Sequence, residues 1–163
     1  MVNFRLWSES LWDCSFNFVK MFLGEYSHNI DDKNRLAIPA KFRFKLREGA
    51  VITRGLDNCL FLFTKKDWQV LVEKIGQLPL SQANARSFSR MMLMGAMEVS
   101  IDKLGRILIP DYLKQFAGLK KQVVVGGVLN RIEIWDEAKW QNYKNKAESN
   151  VEEVAEGMRE LGI

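Results

Sequence analysis

Cysteine and histidine are scarce in this chain: 163 residues hold two cysteines, Cys14 and Cys59, and one histidine, His28. The cysteines have no CxxC spacing and a single histidine cannot complete a zinc set, so neither a metal nor a disulfide framework is expected. Such sparing use suits a reducing, cytoplasmic setting. No uncharged run approaches the roughly 20 residues of a membrane span, and the N-terminus lacks an apolar segment leading to a small-residue cleavage site. Phosphate-binding loops are missing too, with no GxxxxGK[ST] and no GxGxxG after a strand. Nucleophilic catalysis would have His28 as its only base of the usual kind. Neither an enzyme, nor a cofactor, nor a small-molecule ligand is expected.

What is present is an ordinary globular composition, 47% hydrophobic and 27% charged. A chain of this length buries roughly 70% of its unfolded surface, enough for a self-sufficient core. Net charge is +4, and its location matters more than its size. From Asp31 to Arg54 seven basic residues (Lys33, Arg35, Lys41, Arg43, Lys45, Arg47, Arg54) face three acidic ones (Asp31, Asp32, Glu48), which accounts for the whole excess. From Asp136 onward the chain leans acidic. This is a protein with a basic region, which reads either as a plain solvated face or as a site for an anionic partner.

Residues 1–20 carry aromatics and Cys14 without helical or strand periodicity, and Met21 opens a clearly patterned stretch. Met21 is therefore expected to be the native start, with 1–20 an extension outside the native fold. Removing them leaves the charge unchanged, because Arg5 and Lys20 cancel Glu9 and Asp13.

The chain repeats itself. IDDKNRLAIP (30–39) returns as IDKLGRILIP (101–110), so that Asp31 matches Asp102, Arg35 matches Arg106 and Ile38-Pro39 matches Ile109-Pro110 at an offset of 71. Gly24 matches Gly95 at the same offset, while Gly55 with Gly127, Asn58 with Asn130 and Trp68 with Trp140 match at 72. Two copies are too few for a solenoid. They imply a tandem duplication whose halves pack about a pseudo-two-fold axis into one core, with units at 21–76 and 95–148, a linking helix in 77–94, and a C-terminal amphipathic helix in 149–163.

Each half reads strand, turn, strand, short helix, strand, strand, helix, an α+β pattern. DDKN and DKLG are turn formers, and the matched Asn34 and Gly105 are the residue types that best tolerate φ > 0. RLAIP and RILIP are strands ended by proline, which has no N–H to donate. A hairpin is expected, with Asp and Arg flanking its turn. KFRFKLR (41–47) alternates like a strand, but Leu113, Phe116 and Ala117 of its matched segment fall at helical spacing before Gly118, so both are expected to be short helices. VITRG, VVVGG, LFLF and IEIW read as strands. Thr64 with Asp67 forms a capping box, Asp136 is an N-cap, and Trp68 and Trp140 read as core anchors. In the link, Phe88, Met91 and Met92 share a helical face, and the four methionines in 91–97 suggest an adaptable packing surface, with ordinary core the simpler reading. Ser149 with Glu152 forms another capping box ahead of an apolar stripe at Val151, Val154, Ala155, Met158 and Leu161.

Asp31 and Asp102 cannot act as a proton-sharing dyad, since an arginine four residues after each holds it ionised. The pair makes better sense as a positioned cation: Asp accepts from turn N–H groups and fixes the guanidinium fork for a bidentate hydrogen bond. For one such pair a surface ion pair is the simpler reading. Two at matched turns favour DNA, because a β-ribbon fits the major groove and arginine to guanine is its commonest specific contact. Lys33 and Lys103, in the same turns, would serve phosphates.

The strings MFLGEYSHNIDDKNRLAIPAKFR, GLDNCLFLF and LNRIEIWDEAKW, with the two DxxxR strings, resemble the MraZ family over residues 21–163. These are bacterial transcriptional regulators of the division and cell-wall gene cluster, related in fold to AbrB-type swapped-hairpin domains. The resemblance implies an internally duplicated swapped-hairpin β-barrel with peripheral helices. It implies a DNA-contacting motif at Asp31, Lys33, Arg35, Asp102, Lys103 and Arg106, with Asn34 and Gly105 setting turn geometry. It further implies a ring-shaped homo-oligomer, associated with the nucleoid, that reads repeats upstream of its own operon in double-stranded DNA. A competing reading is an assembly protein whose basic turns meet acidic division partners.

Overall fold

The computed structural model of the chain describes residues 21–158. The expectations placed on residues 1–20 and on Leu161 lie outside the described residues. Eight strands and six helices follow one another as β1 (Phe22–Asn29), β2 (Arg35–Ala37), α1 (Ala40–Arg43), β3 (Ala50–Arg54), β4 (Leu60–Thr64), α2 (Lys65–Gly76), α3 (Ala83–Met94), β5 (Met97–Val99), β6 (Arg106–Leu108), α4 (Asp111–Ala117), β7 (Gln122–Leu129), β8 (Arg131–Asp136), α5 (Glu137–Ser149) and α6 (Val151–Met158). The fold is α+β, with a six-stranded antiparallel sheet in the order β1-β7-β8-β4-β3-β5 and a separate pair β2-β6.

That order is unchanged when β1–β4 are exchanged with β5–β8. Pairing of β4 with β8, in the register Leu60↔Ile134 and Leu62↔Ile132, lies at the centre of the symmetry. Each half gives its first strand to the other: β1 pairs with β7, and β5 with β3. The expected hairpin is therefore reduced to its turn. The isolated Ile30↔Leu36 bridge and the Asp31 N to Arg35 O hydrogen bond join its two arms, and β2 spends its ladder on β6. The register also corrects one match. Tyr26↔Val125 and Met97↔Ile52 are equivalent pairs, which makes Arg54, not Gly55, the counterpart of Gly127. The two glycines answer different demands. A Cβ on Gly127 would strike the backbone at Leu23 N, whereas one on Gly55 would meet Cys59 Sγ at 2.7 Å.

The KFRFKLR segment is α1 followed by a 3-10 turn at Phe44–Leu46. Helical spacing buries Phe42 and Leu46 and leaves Phe44 outside; strand spacing would have put all three on one face. Phe42 meets Phe22 and Tyr26 edge-on at 5.3 and 5.4 Å. Its counterpart α4 buries Leu113 and Ala117 and ends at Gly118, in the left-handed region at φ 61°. These helices, with Leu36, Ile38, Ile107 and Ile109 of the β2–β6 layer, cover one face of the sheet, where Leu60, Leu62, Ile132 and Ile134 face them. Each fully buried aliphatic side chain there contributes about 1.5–3 kcal/mol.

The other face carries a second core of Phe61, Phe63, Ile75, Met92, Val124 and Trp135, and β4 alternates between the two cores, Leu60 and Leu62 into one and Phe61 and Phe63 into the other. Trp68 of α2 and Trp140 of α5 are half-buried against this second core, with Phe63 5.8 Å from Trp68 and Trp135 5.5 Å from Trp140. Thr64 caps α2 as expected, accepting from Asp67 N at 3.0 Å. Helix α3 lies in the linking segment and is tied to β3 where buried Thr53 Oγ1 donates to Met92 O at 2.6 Å.

Three local expectations fail. Of the four methionines only Met92 is fully core; Met94 and Met97 are exposed, because Met94 ends α3 and Met97 starts the edge strand β5. Asp136 occupies the N-cap of α5 but makes no side-chain cap, since its carboxylate accepts from Lys120 N instead. Ser149 opens no helix: it is the last residue of α5, and its hydroxyl donates back to Lys146 O. Among the described residues no helix is long and apolar enough to cross a membrane.

Candidate nucleic-acid interface

The two DxxxR turns are built alike. Asp31 Oδ1 accepts from Lys33 N and Arg35 N, both at 2.9 Å, and Asp31 Oδ2 accepts from Arg35 Nε at 2.8 Å. In the second turn Asp102 Oδ1 accepts from Leu104 N and Arg106 N at 2.9 Å, and Oδ2 from Arg106 Nε at 2.9 Å. One short carboxylate thus serves both backbone and guanidinium, which aspartate reaches and glutamate, one methylene longer, does not. The turns close with Asn34 N donating to Asp31 O and Gly105 N to Asp102 O, each at 2.9 Å. Asn34 at φ 57° and Gly105 at φ 78° take the left-handed conformation expected of them.

These contacts depress both carboxyls below their ordinary value near 3.8. At Asp31 the largest cause is the Arg35 backbone hydrogen bond, and at Asp102 it is the Arg106 side chain. Both stay ionised at neutral pH, so the turns have no proton to share and no acid-base chemistry to offer.

Antiparallel pairing of β2 with β6, Ala37↔Arg106 and Arg35↔Leu108, brings the turns side by side. Arg106 Nη2 lies 2.7 Å from Asp102 and its Nη1 3.8 Å from Asp31 of the other half. Arg35, by contrast, uses only Nε in hydrogen bonding its aspartate, and among the described residues its terminal nitrogens have no partner. The two arginines are thus not equivalent: Arg106 is held between two carboxylates, and Arg35 by one.

Lys33 and Lys103 are both exposed, and among the described residues neither side chain has a partner. They do not occupy the same position. Lys33 N, like Leu104 N, donates to the turn aspartate, so Leu104 is the counterpart of Lys33 and Lys103 that of Asp32.

Two further cations come to the turns that the sequence reading did not assign. Lys114 Nζ, on α4, donates to Asn34 Oδ1 at 2.7 Å, and Asn34 Nδ2 donates to Asp111 Oδ1. Arg43, on α1, lies over Gly105, where a Cβ would strike its guanidinium, and its Nε donates to Ile38 O at 2.7 Å. The crossing is reciprocal, because Ile38 N donates to Gly105 O and Ile109 N to Asn34 O, each at 2.9 Å. Arg43 and Lys114 are 71 apart, the offset of the repeat, and that spacing was the available signal. Arg43 also lowers the pKa of His28, second to the burial of that imidazole.

Among the described residues no group of three or more His, Cys, Asp or Glu is placed to hold a metal. Cys59 is buried, and its thiol is pushed far above the ordinary range, chiefly by desolvation, which leaves it inert.

Comparison with known proteins agrees with this architecture. The family model described as "MraZ protein, putative antitoxin-like" matches the chain twice, over residues 21–91 and 92–160. A protein of Natranaerobius thermophilus is 50% identical over 143 residues, covering 88% of this chain and all of that relative; one of Clostridium tetani is 50% identical with the same coverage. A third, from Halothermothrix orenii, is 48% identical over 143 residues, again 88% of this chain and all of the relative. Each of the three is named transcriptional regulator MraZ, a regulator rather than an enzyme. Two family matches that together span the described residues, and relatives identical at half their positions, show that the chain belongs to the MraZ family.

Proposed function

We propose that the chain is a sequence-specific DNA-binding transcriptional regulator, cytoplasmic and nucleoid-associated, acting on the division and cell-wall gene cluster. The observation that carries this reading is the juxtaposition of the two ion-paired turns through Arg106, which presents two oriented arginines on one β-ribbon. Arg35 and Arg106 read base edges in the major groove, Asp31 and Asp102 hold them, and Lys33 and Lys103 meet phosphates. Asn34 and Gly105 set the turns. The swapped strands and the β2–β6 layer form a barrel of two repeats, 21–76 and 95–148, joined through 77–94 and followed by 149–163.

One such ribbon binds weakly. A ring of several copies engaging repeats upstream of its own operon makes later contacts intramolecular, raising avidity by about 10² to 10⁴. The test is Arg35→Ala and Arg106→Ala, with binding to that upstream fragment followed by anisotropy and assembly by gel filtration. Loss of binding at unchanged assembly mass is expected. Retained affinity in both variants, or loss that tracks dissociation of the oligomer, contradicts the assignment.

A further inference from the structure

We propose that Arg43 and Lys114 form a second, sequence-independent pair of DNA phosphate contacts, each supplied to one half's reading turn by the other half. This rests on the DNA-binding reading above and goes beyond its DxxxR residues.

Both cations touch the left-handed residue that precedes a reading arginine. Lys114 binds Asn34, next to Arg35, and Arg43 covers Gly105, next to Arg106. Both are half-buried, and among the described residues neither forms an ion pair with a carboxylate: their acceptors are an amide oxygen and the Ile38 carbonyl. Among the described residues the terminal nitrogens of Arg43 have no further acceptor, and two of the three Lys114 protons are likewise uncommitted. A cation held in place by a neutral acceptor, beside a turn and in no ion pair among the described residues, is arranged for an anion that comes from outside.

The chemistry of that anion follows from the exchange between halves. Arg35 and Arg106 are arginine in both turns, as a bidentate base contact requires. At the equivalent positions 43 and 114 one half uses arginine and the other lysine. Phosphate accepts from either, as fork or point charge, whereas a guanine edge distinguishes them. The partner residues are matched to the swap. Gly105 lacks the Cβ that would strike the broad Arg43 guanidinium, and Asn34 supplies an oxygen for the slimmer lysine. Because α1 serves the second turn and α4 the first, each reading head needs both halves of the chain.

The experiment measures binding of the full chain to its upstream fragment and to an unrelated duplex of equal length, across a salt series, for Arg43→Ala, Lys114→Ala, Arg43→Lys and Arg43→Gln. Loss of either charge is expected to weaken both duplexes by the same factor, about 3- to 10-fold, and to flatten the salt slope by about one for each subunit on the DNA. Arg43→Lys should keep the wild-type slope. Arg43→Gln, which retains a donor for Ile38 O, should behave like Ala, so a folding defect in Ala alone leaves the result decisive. An unchanged slope in Arg43→Gln and Lys114→Ala, or loss confined to the upstream fragment, overturns the inference while leaving the reading arginines in place. Wild-type binding that ignores sequence but responds to Arg43 supports the inference and removes the sequence-reading function. Binding to neither duplex overturns both and points to an acidic protein surface.

Discussion

Arg106, in the second half of the chain, lies 3.8 Å from Asp31 in the first. Its own aspartate, Asp102, is closer at 2.7 Å, so one guanidinium couples turns that are 71 residues apart in sequence. Arg35 makes no equivalent reach to Asp102 among the described residues.

That asymmetry is measurable by titration. In side-chain carboxyl NMR, Arg35→Gln is expected to raise the pKa of Asp31 and leave Asp102 nearly unmoved, whereas Arg106→Gln raises Asp102 and, to a smaller extent, Asp31. Symmetric responses to the two substitutions would show that the turns are not coupled through Arg106.

The depressed carboxyls also fix a pH dependence. An aspartate with a folded pKa below its unfolded value stabilises the fold above the unfolded pKa and loses that contribution as pH falls through the folded one. Denaturation midpoints of the wild type and of Asp31→Asn/Asp102→Asn should therefore differ by a constant amount near neutrality and converge below about pH 4. A difference that persists unaltered into strong acid would mean the turns owe nothing to ionised aspartate.

Phe42 and Phe44 separate the helix from the strand reading of KFRFKLR. Phe42→Ala should cost about 3–5 kcal/mol, as expected for an aromatic removed from a sealed core. Phe44, 67% exposed, should tolerate alanine within about 0.5 kcal/mol. Comparable losses at both positions in urea denaturation would place both rings in the core, as a strand would.

Gly105 offers a control within the chain. Gly105→Ala forces a side chain to φ 78° and into Arg43, and should destabilise by about 1–3 kcal/mol. Gly126→Ala, at ordinary φ with nothing within 4 Å of the added Cβ, should be neutral or slightly stabilising. Equal thermal shifts would remove the strain argument.

Truncation after residue 148 removes α6, in which Val151 is exposed. If that apolar stripe covers a neighbouring subunit, the mass seen by light scattering falls and dissociation begins at higher protein concentration. Unchanged mass assigns the stripe another role.

Local chemistry made much of this legible. The turn residues Asn34 and Gly105, the Thr64 cap and the proline-terminated strands follow from the needs of a few neighbouring atoms, and the repeat resolved KFRFKLR in favour of a helix. What the residues did not disclose is set across the chain. Nothing local to β1 says that it pairs with β7 and leaves β2 to β6, because its side chains suit either partner. The same exchange hid Arg43 and Lys114, which act on turns 62 and 80 residues away from their own positions. Gly55 and Gly127 aligned by identity, yet one avoids Cys59 and the other the β1 backbone, so composition matched where geometry did not.

Paired turns that read a sequence must prefer their own DNA. Fluorescence anisotropy of the purified chain on the fragment upstream of its own gene, beside a shuffled fragment of equal length, at several salt concentrations, measures that preference. Tighter binding to the native fragment is expected, with the preference surviving as salt rises. Equal affinities that fade together with salt would contradict it and leave only a basic surface.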